Sequence, residues 1–184
     1  MREIVECVPN FSTSDPKTVE LILNELKKTE NTFLLDCTFD DYYNRLVVSF
    51  FGNKKSVLEA ALNMSFKAVE LIDMRLHKGQ HPRVGAVDIV PFLPIKNVIM
   101  EDCIEFARKF GKTLAEKCGV PVYLYGEAAT KPERRDLDWI REGEYERLAE
   151  MIVKPERKPD FGPAKPHPTA GATVTGARKV MAGF

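Results

Sequence analysis

Two histidines stand four residues apart in Leu76-His77-Lys78-Gly79-Gln80-His81-Pro82-Arg83. On a helix that spacing would aim both imidazoles at one metal ion, but Gly79 between them and Pro82 after them argue against a helix. No third histidine or obvious carboxylate completes a zinc ligand set, so no metal is expected. Two uses remain. Either imidazole could simply bond a backbone group, or one could be an acid–base group held by a loop that leads into a strand. An ordinary histidine pKa of about 6.5 suits proton transfer near neutrality.

Three other segments carry polar groups at the ends of extended stretches. Asp36-Cys37-Thr38-Phe39-Asp40-Asp41-Tyr42-Tyr43-Asn44-Arg45 places carboxylates, an amide and a guanidinium between two strands. Its plainest reading is a hairpin connection, with Asp and Asn making the turn. Tyr123-Leu124-Tyr125-Gly126-Glu127 delivers Glu127 beside a glycine at a strand end. Pro159-Asp160-Phe161-Gly162-Pro163 leads to Gly171-Ala172-Thr173-Val174-Thr175-Gly176-Ala177-Arg178. Prolines and glycines there allow backbone to approach a ligand closely. That stretch lacks the Gly-Lys-Ser/Thr end of a phosphate-binding loop and precedes a strand, so nucleotide binding is not expected.

The elements that must position these groups follow from spacing. Ile4 to Val8 reads as a strand stopped by Pro9-Asn10. Asp15-Pro16 opens a helix that ends near Lys28, with Val19, Ile22, Leu23 and Leu26 on one face. Phe33 to Cys37 and Arg45 to Phe51 are strands, and Lys54 to about Met74 is the longest helix. Val84 to Leu93 is a buried extended segment. This β-α-β-β-α-β order is that of an α+β, ferredoxin-like fold with a mixed or antiparallel sheet. A helix over Met100 to Lys117, a strand over Val120 to Tyr125 and a short helix around Trp139 to Ile152 extend it. Prolines 155, 159, 163, 166 and 168 exclude regular structure in the next stretch, and Ala172 to Phe184 reads as a last strand.

The 184 residues suit one domain, and the 27 basic residues balance 27 acidic ones. That neutrality, with no aromatic strand pattern of the RNA-reading kind, argues against nucleic acid as a partner. No apolar run reaches the roughly 20 residues of a membrane helix, and the first residues are strand-like and acidic rather than a secretory leader. A cytoplasmic protein without membrane contact is expected. Cys7, Cys37, Cys103 and Cys118 are scattered in apolar surroundings and read as buried thiols.

Taken together, the segments resemble the formiminotransferase family, in its N-terminal subdomain. The matching strings are Val5-Glu6-Cys7-Val8-Pro9-Asn10-Phe11-Ser12, Asn44-Arg45, and His77-Lys78-Gly79-Gln80-His81-Pro82-Arg83-Val84-Gly85-Ala86-Val87-Asp88. Further on they are Val120 to Ala129, Ile140 to Glu146, Pro159 to Pro163 and Gly171 to Arg178. They come in the family's order and cover nearly the whole chain. The resemblance implies transfer of a formimino group from N-formimino-L-glutamate to N5 of tetrahydrofolate, a co-substrate, in histidine degradation and one-carbon metabolism.

The resemblance also selects residues. The family's catalytic histidine falls on His81, as general base and then acid. Its folate-contacting stretch falls on Gly162-Pro163-Ala164-Lys165-Pro166-His167-Pro168-Thr169-Ala170-Gly171. Beside these, Arg45, Arg83 and Arg178 are candidates for substrate carboxylates, Asn44 for substrate binding, and Asp40 or Glu127 for orienting His81 or binding the amidine.

Two local departures touch this pattern. Thr13-Ser14 stand where the family usually has Glu-Gly, and Tyr43 precedes Asn44 where many bacterial relatives carry histidine. The resemblance further implies a second subdomain, with folate in a tunnel between the halves, and in some relatives a cyclodeaminase domain; neither lies in these 184 residues. The expected arrangements are a fragment, a short protein that pairs with itself or with a separate second-subdomain partner, or a folate-binding module without turnover. A cyclo-ligase-like activity on 5-formyltetrahydrofolate is the alternative within the enzyme class.

Overall fold

The computed structural model describes residues 3–180. It is a mixed α+β structure with one seven-stranded mixed sheet and five α-helices among the described residues. The strands are β1 (Ile4–Cys7), β2 (Asn10–Phe11), β3 (Thr32–Asp40), β4 (Arg45–Gly52), β5 (Val87–Lys96), β6 (Val122–Gly126) and β7 (Thr173–Ala177). The helices are α1 (Pro16–Lys28), α2 (Lys54–Leu71), α3 (Met100–Cys118), α4 (Leu137–Arg141) and α5 (Glu144–Met151).

Across the sheet, β3 pairs with β4, and β4 pairs with β1 and β2 laid end to end. Both of these then pair with β5, all antiparallel, after which β5, β7 and β6 run parallel. The first strand does not stop at Pro9, as the sequence suggested. It breaks there and resumes, because the Pro9 carbonyl still accepts from Val48 N and Val8 N still donates to the Pro91 carbonyl. Proline costs one donor, which an irregular ladder can spare. Three further boundaries differ from expectation. Strand β3 runs on to Asp40, α2 ends at Leu71, and Pro155–Arg157 forms a single 3-10 turn, since proline is tolerated in a first turn. The last strand is limited to Thr173–Ala177, and the end of the expected strand, 181–184, lies outside the described residues.

The helix ends follow local chemistry. Asp15 Oδ2 accepts from Thr18 N at 2.8 Å to cap α1, and Asn53 Oδ1 accepts from Ser56 N at 2.9 Å to cap α2. Gly119, at φ +69°, ends α3. Alternation decides which sheet face is covered. Leu46, Val48 and Phe50 of β4 join Val122 and Leu124 of β6 in the core under α1, α2 and α3. Tyr123, Tyr125, Ile89 and Val174 point the other way, into a second cluster closed by Ile140 of α4 and Leu148 of α5. On β4 that second face carries Arg45, Val47, Ser49 and Phe51, all half-buried. No helix among the described residues is long and apolar enough to cross a membrane.

The two edges of the sheet are treated differently. The outer edge of β6 is closed by the chain itself: Val122 N donates to the Phe161 carbonyl, and the Asp160 carboxylate accepts from Leu124 N at 2.8 Å. Asp160 is held in turn by Arg134 Nη1 at 2.6 Å and by the Thr130 hydroxyl, with both ionic side chains almost wholly buried. Removing one partner of such a pair strands the other charge. Asp160→Ala is therefore expected to cost about 3 kcal/mol in urea unfolding, and a loss under 1 kcal/mol would show that the clasp is dispensable.

Candidate active site

The loop that carries both histidines lies against the turn between β3 and β4. Asn44 makes this junction. Its side-chain oxygen accepts from Ser14 N at 2.9 Å and from Ser14 Oγ at 3.1 Å, and its amide nitrogen donates to the Lys78 carbonyl at 2.8 Å. Its backbone sits at φ +47°, a region that Asn tolerates better than most residues. Gln80 N donates to the Tyr42 carbonyl, and a Cβ on Gly79 would come within 2.3 Å of the Tyr43 carbonyl oxygen. Glycine is needed there because backbone meets backbone.

His77 is spent on the scaffold. Its Nε2 lies 2.9 Å from the Asn44 carbonyl, which can only accept, so Nε2 carries the proton. Nδ1 then accepts from Arg83 Nε at 3.2 Å. Burial, helped by the Arg83 charge, lowers the His77 pKa despite the Asn44 bond, which favours the neutral ring. Arg83 itself is buried and fully engaged, with Nη1 on Glu144 and Glu146 at 2.9 and 2.8 Å and Nη2 on Glu146 at 2.6 Å. Its carbonyl accepts from Tyr145 N, tying the loop to α5.

His81 differs. It is half-buried, and its pKa is pushed down to about 4, first by burial and then by the charges of Arg45, Arg141 and Arg83. Arg45 opens β4 opposite Asp40, with its guanidinium 5.6 Å from the centre of the Tyr43 ring, and makes no ion pair among the described residues. Arg141, from α4, is paired with the buried Asp88, whose other oxygen accepts from Val84 N at 3.0 Å. Asp88 thus fixes both the start of β5 and one of the cations that face His81. Sequence reasoning passed over Arg141 and Asp88; both lie in the quoted family strings, but only the fold shows that they meet.

The remaining candidates are dispersed. Asp40 accepts from Tyr43 N at 3.0 Å, which is the turn role its type suggests. Glu127 is on the surface, paired with Arg135 at 2.9 Å. Arg178 follows β7, its N donating to the Phe92 carbonyl. On β6, just before Glu127, the Tyr125 ring lies over Gly176, and the Arg178 side chain beside its buried hydroxyl offsets part of the burial that raises its pKa.

The stretch from Gly162 to Gly171 crosses the molecule. Gly162 lines a cleft of about 320 Å³ beside Ala115 and Phe161, whereas Pro166, His167 and Pro168 line one of about 490 Å³ with His77, Arg75 and Tyr145. His167 and Gly171 exchange backbone bonds, and His167 Nδ1 accepts from Ala170 N at 3.0 Å. Thr13 and Ser14, at the departure from the family pattern, serve the local turn. Thr13 Oγ1 accepts from Asp15 N, and Ser14 reaches Asn44. No group of three histidine, cysteine or acidic side chains is placed to hold a metal among the described residues.

A model of the formiminotransferase domain, N-terminal subdomain, matches residues 4–178. The chain belongs to this family. It is similar to the formimidoyltransferase-cyclodeaminase of Rattus norvegicus, with 48% identity over all of this chain and 34% of that protein. It is 38% identical to the glutamate formimidoyltransferase of Streptococcus pyogenes serotype M1, over all of this chain and 62% of that one. To the enzyme of the same name from Thermoplasma acidophilum it is 41% identical, over 98% of this chain and 60% of that one. The chain therefore spans about a third of the first of these formiminotransferase relatives and about three fifths of the others.

The junction makes a direct stability prediction. Asn44→Ala removes three side-chain bonds and leaves a positive φ without the residue that tolerates it, so a loss of about 2 kcal/mol is expected in thermal unfolding. Asn44→Gly, which relieves only the backbone, is expected to recover a minor part. Equal stability of Asn44→Ala and the natural protein would contradict the role given to this amide.

Proposed function

We propose that the chain contributes the catalytic half of a formimino transfer from N-formimino-L-glutamate to N5 of tetrahydrofolate, with His81 as the proton carrier. The observation that supports this reading most strongly is a half-buried imidazole facing guanidinium groups, on a loop pinned at Asn44, His77 and Arg83. A base of low pKa is almost wholly unprotonated at neutral pH, and its conjugate acid gives the proton back readily.

The steps follow from that. As N5 bonds to the formimino carbon it must lose a proton, which the free imidazole nitrogen takes. As the carbon–nitrogen bond to glutamate breaks, the leaving nitrogen needs a proton, which His81 returns. Both substrates carry carboxylates, and Arg45, unpaired among the described residues, is the guanidinium free to bind one in bidentate fashion. An anion placed there would offset part of the cationic field on His81 and raise its pKa in the complex, strengthening the base only when substrate is bound.

The cleft of about 490 Å³ beside Pro166–Pro168 is the proposed folate-facing part of the family's loop. In this reading residues 1–184 act as one subdomain. The wall they do not provide comes from a second subdomain or a partner, and closing it would strengthen the site's electrostatics. The ferredoxin-like reading of the first half is supported by the neighbour order β5, β1/β2, β4, β3. A cytoplasmic location is part of the same proposal.

The test is formimino transfer by the purified chain, followed through the 5-formimino product, against His81→Ala. Loss of at least ~100-fold in kcat, with saturable folate binding retained, is expected for a missing acid–base group. Undiminished transfer by His81→Ala would remove His81 from the reaction. Folate binding without turnover in either protein would make the chain a binding module.

A further inference from the structure

We infer that Arg141, held by Asp88, is a second carboxylate-binding residue of the site, so that Arg45 and Arg141 together select a formimino donor with two carboxylates. The inference rests on the proposed reading of N-formimino-L-glutamate as that donor, and it adds the group that tells this donor from one with a single carboxylate. Arg141 is the last residue of α4, and its side chain is 12% exposed. Its Nη2 donates to the Asp88 carboxylate, and no other donor of this guanidinium bonds within the described residues; Nε is buried without a partner. Arg83, by contrast, bonds through Nε, Nη1 and Nη2. The Arg141 charge is compensated, but most of its fork is idle, and idle buried donors call for a partner.

The pair is fixed in place. Asp88 is buried, and its other oxygen accepts from Val84 N at 3.0 Å, so the carboxylate cannot turn away from Arg141 without giving up the start of β5. The charge of Arg141 reaches both His81 and the buried Tyr125 hydroxyl, and that of Arg45 reaches both His81 and Asp88. Two guanidiniums, one from β4 and one from α4, therefore share the neighbourhood of one imidazole with a single buried carboxylate between them. One carboxylate satisfies neither fork. Arg45 makes no ion pair among the described residues and Arg141 uses one donor, which leaves each able to take a further carboxylate. In a glutamate-derived donor the formimino group stands on the α-nitrogen, and with both carboxylates held that group is left to meet His81. A site whose buried donors need both carboxylates discriminates against a donor that brings only one, because a fork then stays unbonded.

Calorimetric titration of the purified chain tests this with stable analogues in which a formyl group replaces the formimino group. N-formyl-L-glutamate carries both carboxylates, N-formyl-L-norvaline only the α-carboxylate, and 4-formamidobutanoate only the side-chain one. The natural chain is expected to bind the first ~10- to 100-fold more tightly than either of the others, the range of a charged hydrogen-bonded contact. Arg141→Met combined with Asp88→Asn removes the pair without stranding a charge and keeps an acceptor for Val84 N. This double variant is expected to keep its circular dichroism spectrum and to bind N-formyl-L-glutamate no better than one of the single-carboxylate compounds. Arg141→Lys keeps the charge beside Asp88 but not the fork, and is expected to lose most of the preference. A natural chain with no preference for the dicarboxylate would overturn the proposal, as would an undiminished preference in either variant. Absence of formimino transfer, with the preference present in the natural chain and lost in the double variant, would sustain this site and count against the transfer reading alone.

Discussion

One amide holds the proposed site together. Asn44 joins the segment before α1, the β3–β4 turn and the histidine loop through side-chain bonds to Ser14 and Lys78, and its backbone carbonyl accepts from the His77 ring. Without it the loop from His77 to Arg83 would be a glycine- and proline-containing excursion with only its ends fixed. With it, the backbone of 77–80 lies against 42–44, and the following residues enter β5 from a fixed direction. The two histidines, alike in sequence, are thereby given different work. His77 uses both nitrogens on the protein, whereas His81 stands in a cationic, half-buried setting that keeps its lone pair available.

Charge arrangement explains why this setting is stable. Arg83 and Arg141 are each matched by acidic groups, Glu144 and Glu146 for the first and Asp88 for the second. Their fields still reach His81, but their own charges are compensated, so burying them does not leave unpaired ions. Arg45 is the exception: it lies towards the Tyr43 ring and makes no ion pair among the described residues, although its charge also reaches Asp88. A cation left unpaired beside a deprotonated imidazole makes a place for an anionic substrate, which agrees with the dicarboxylate and polyanionic substrates proposed.

Much of the layout was legible in the sequence because it depends on local signals. The Asp15-Pro16 opening of α1 and the spacing of Val19, Ile22, Leu23 and Leu26 mark that helix by their own chemistry. The continuation of the first strand past Pro9 was not legible, since it rests on Val48 and Pro91 from distant strands. The site was legible only in part. His81 and the Asn44-Arg45 pair could be chosen from their strings, but the pairing of Arg141 with Asp88, 53 residues apart, exists only in three dimensions. Glu127, at the end of a strand, is exposed and paired with Arg135, a contact eight residues along the chain that its position at a strand end does not reveal.

The most direct test of this account is a titration of the imidazole resonances of His77 and His81 by nuclear magnetic resonance in the folded chain. His77 is expected to titrate below the ordinary histidine value, with its neutral form protonated on Nε2, and His81 to titrate with a midpoint at about 4. A His81 midpoint near the ordinary ~6.5, unmoved when Arg45 is replaced by Gln, would mean that the guanidinium groups do not act on it, and the central claim would fall.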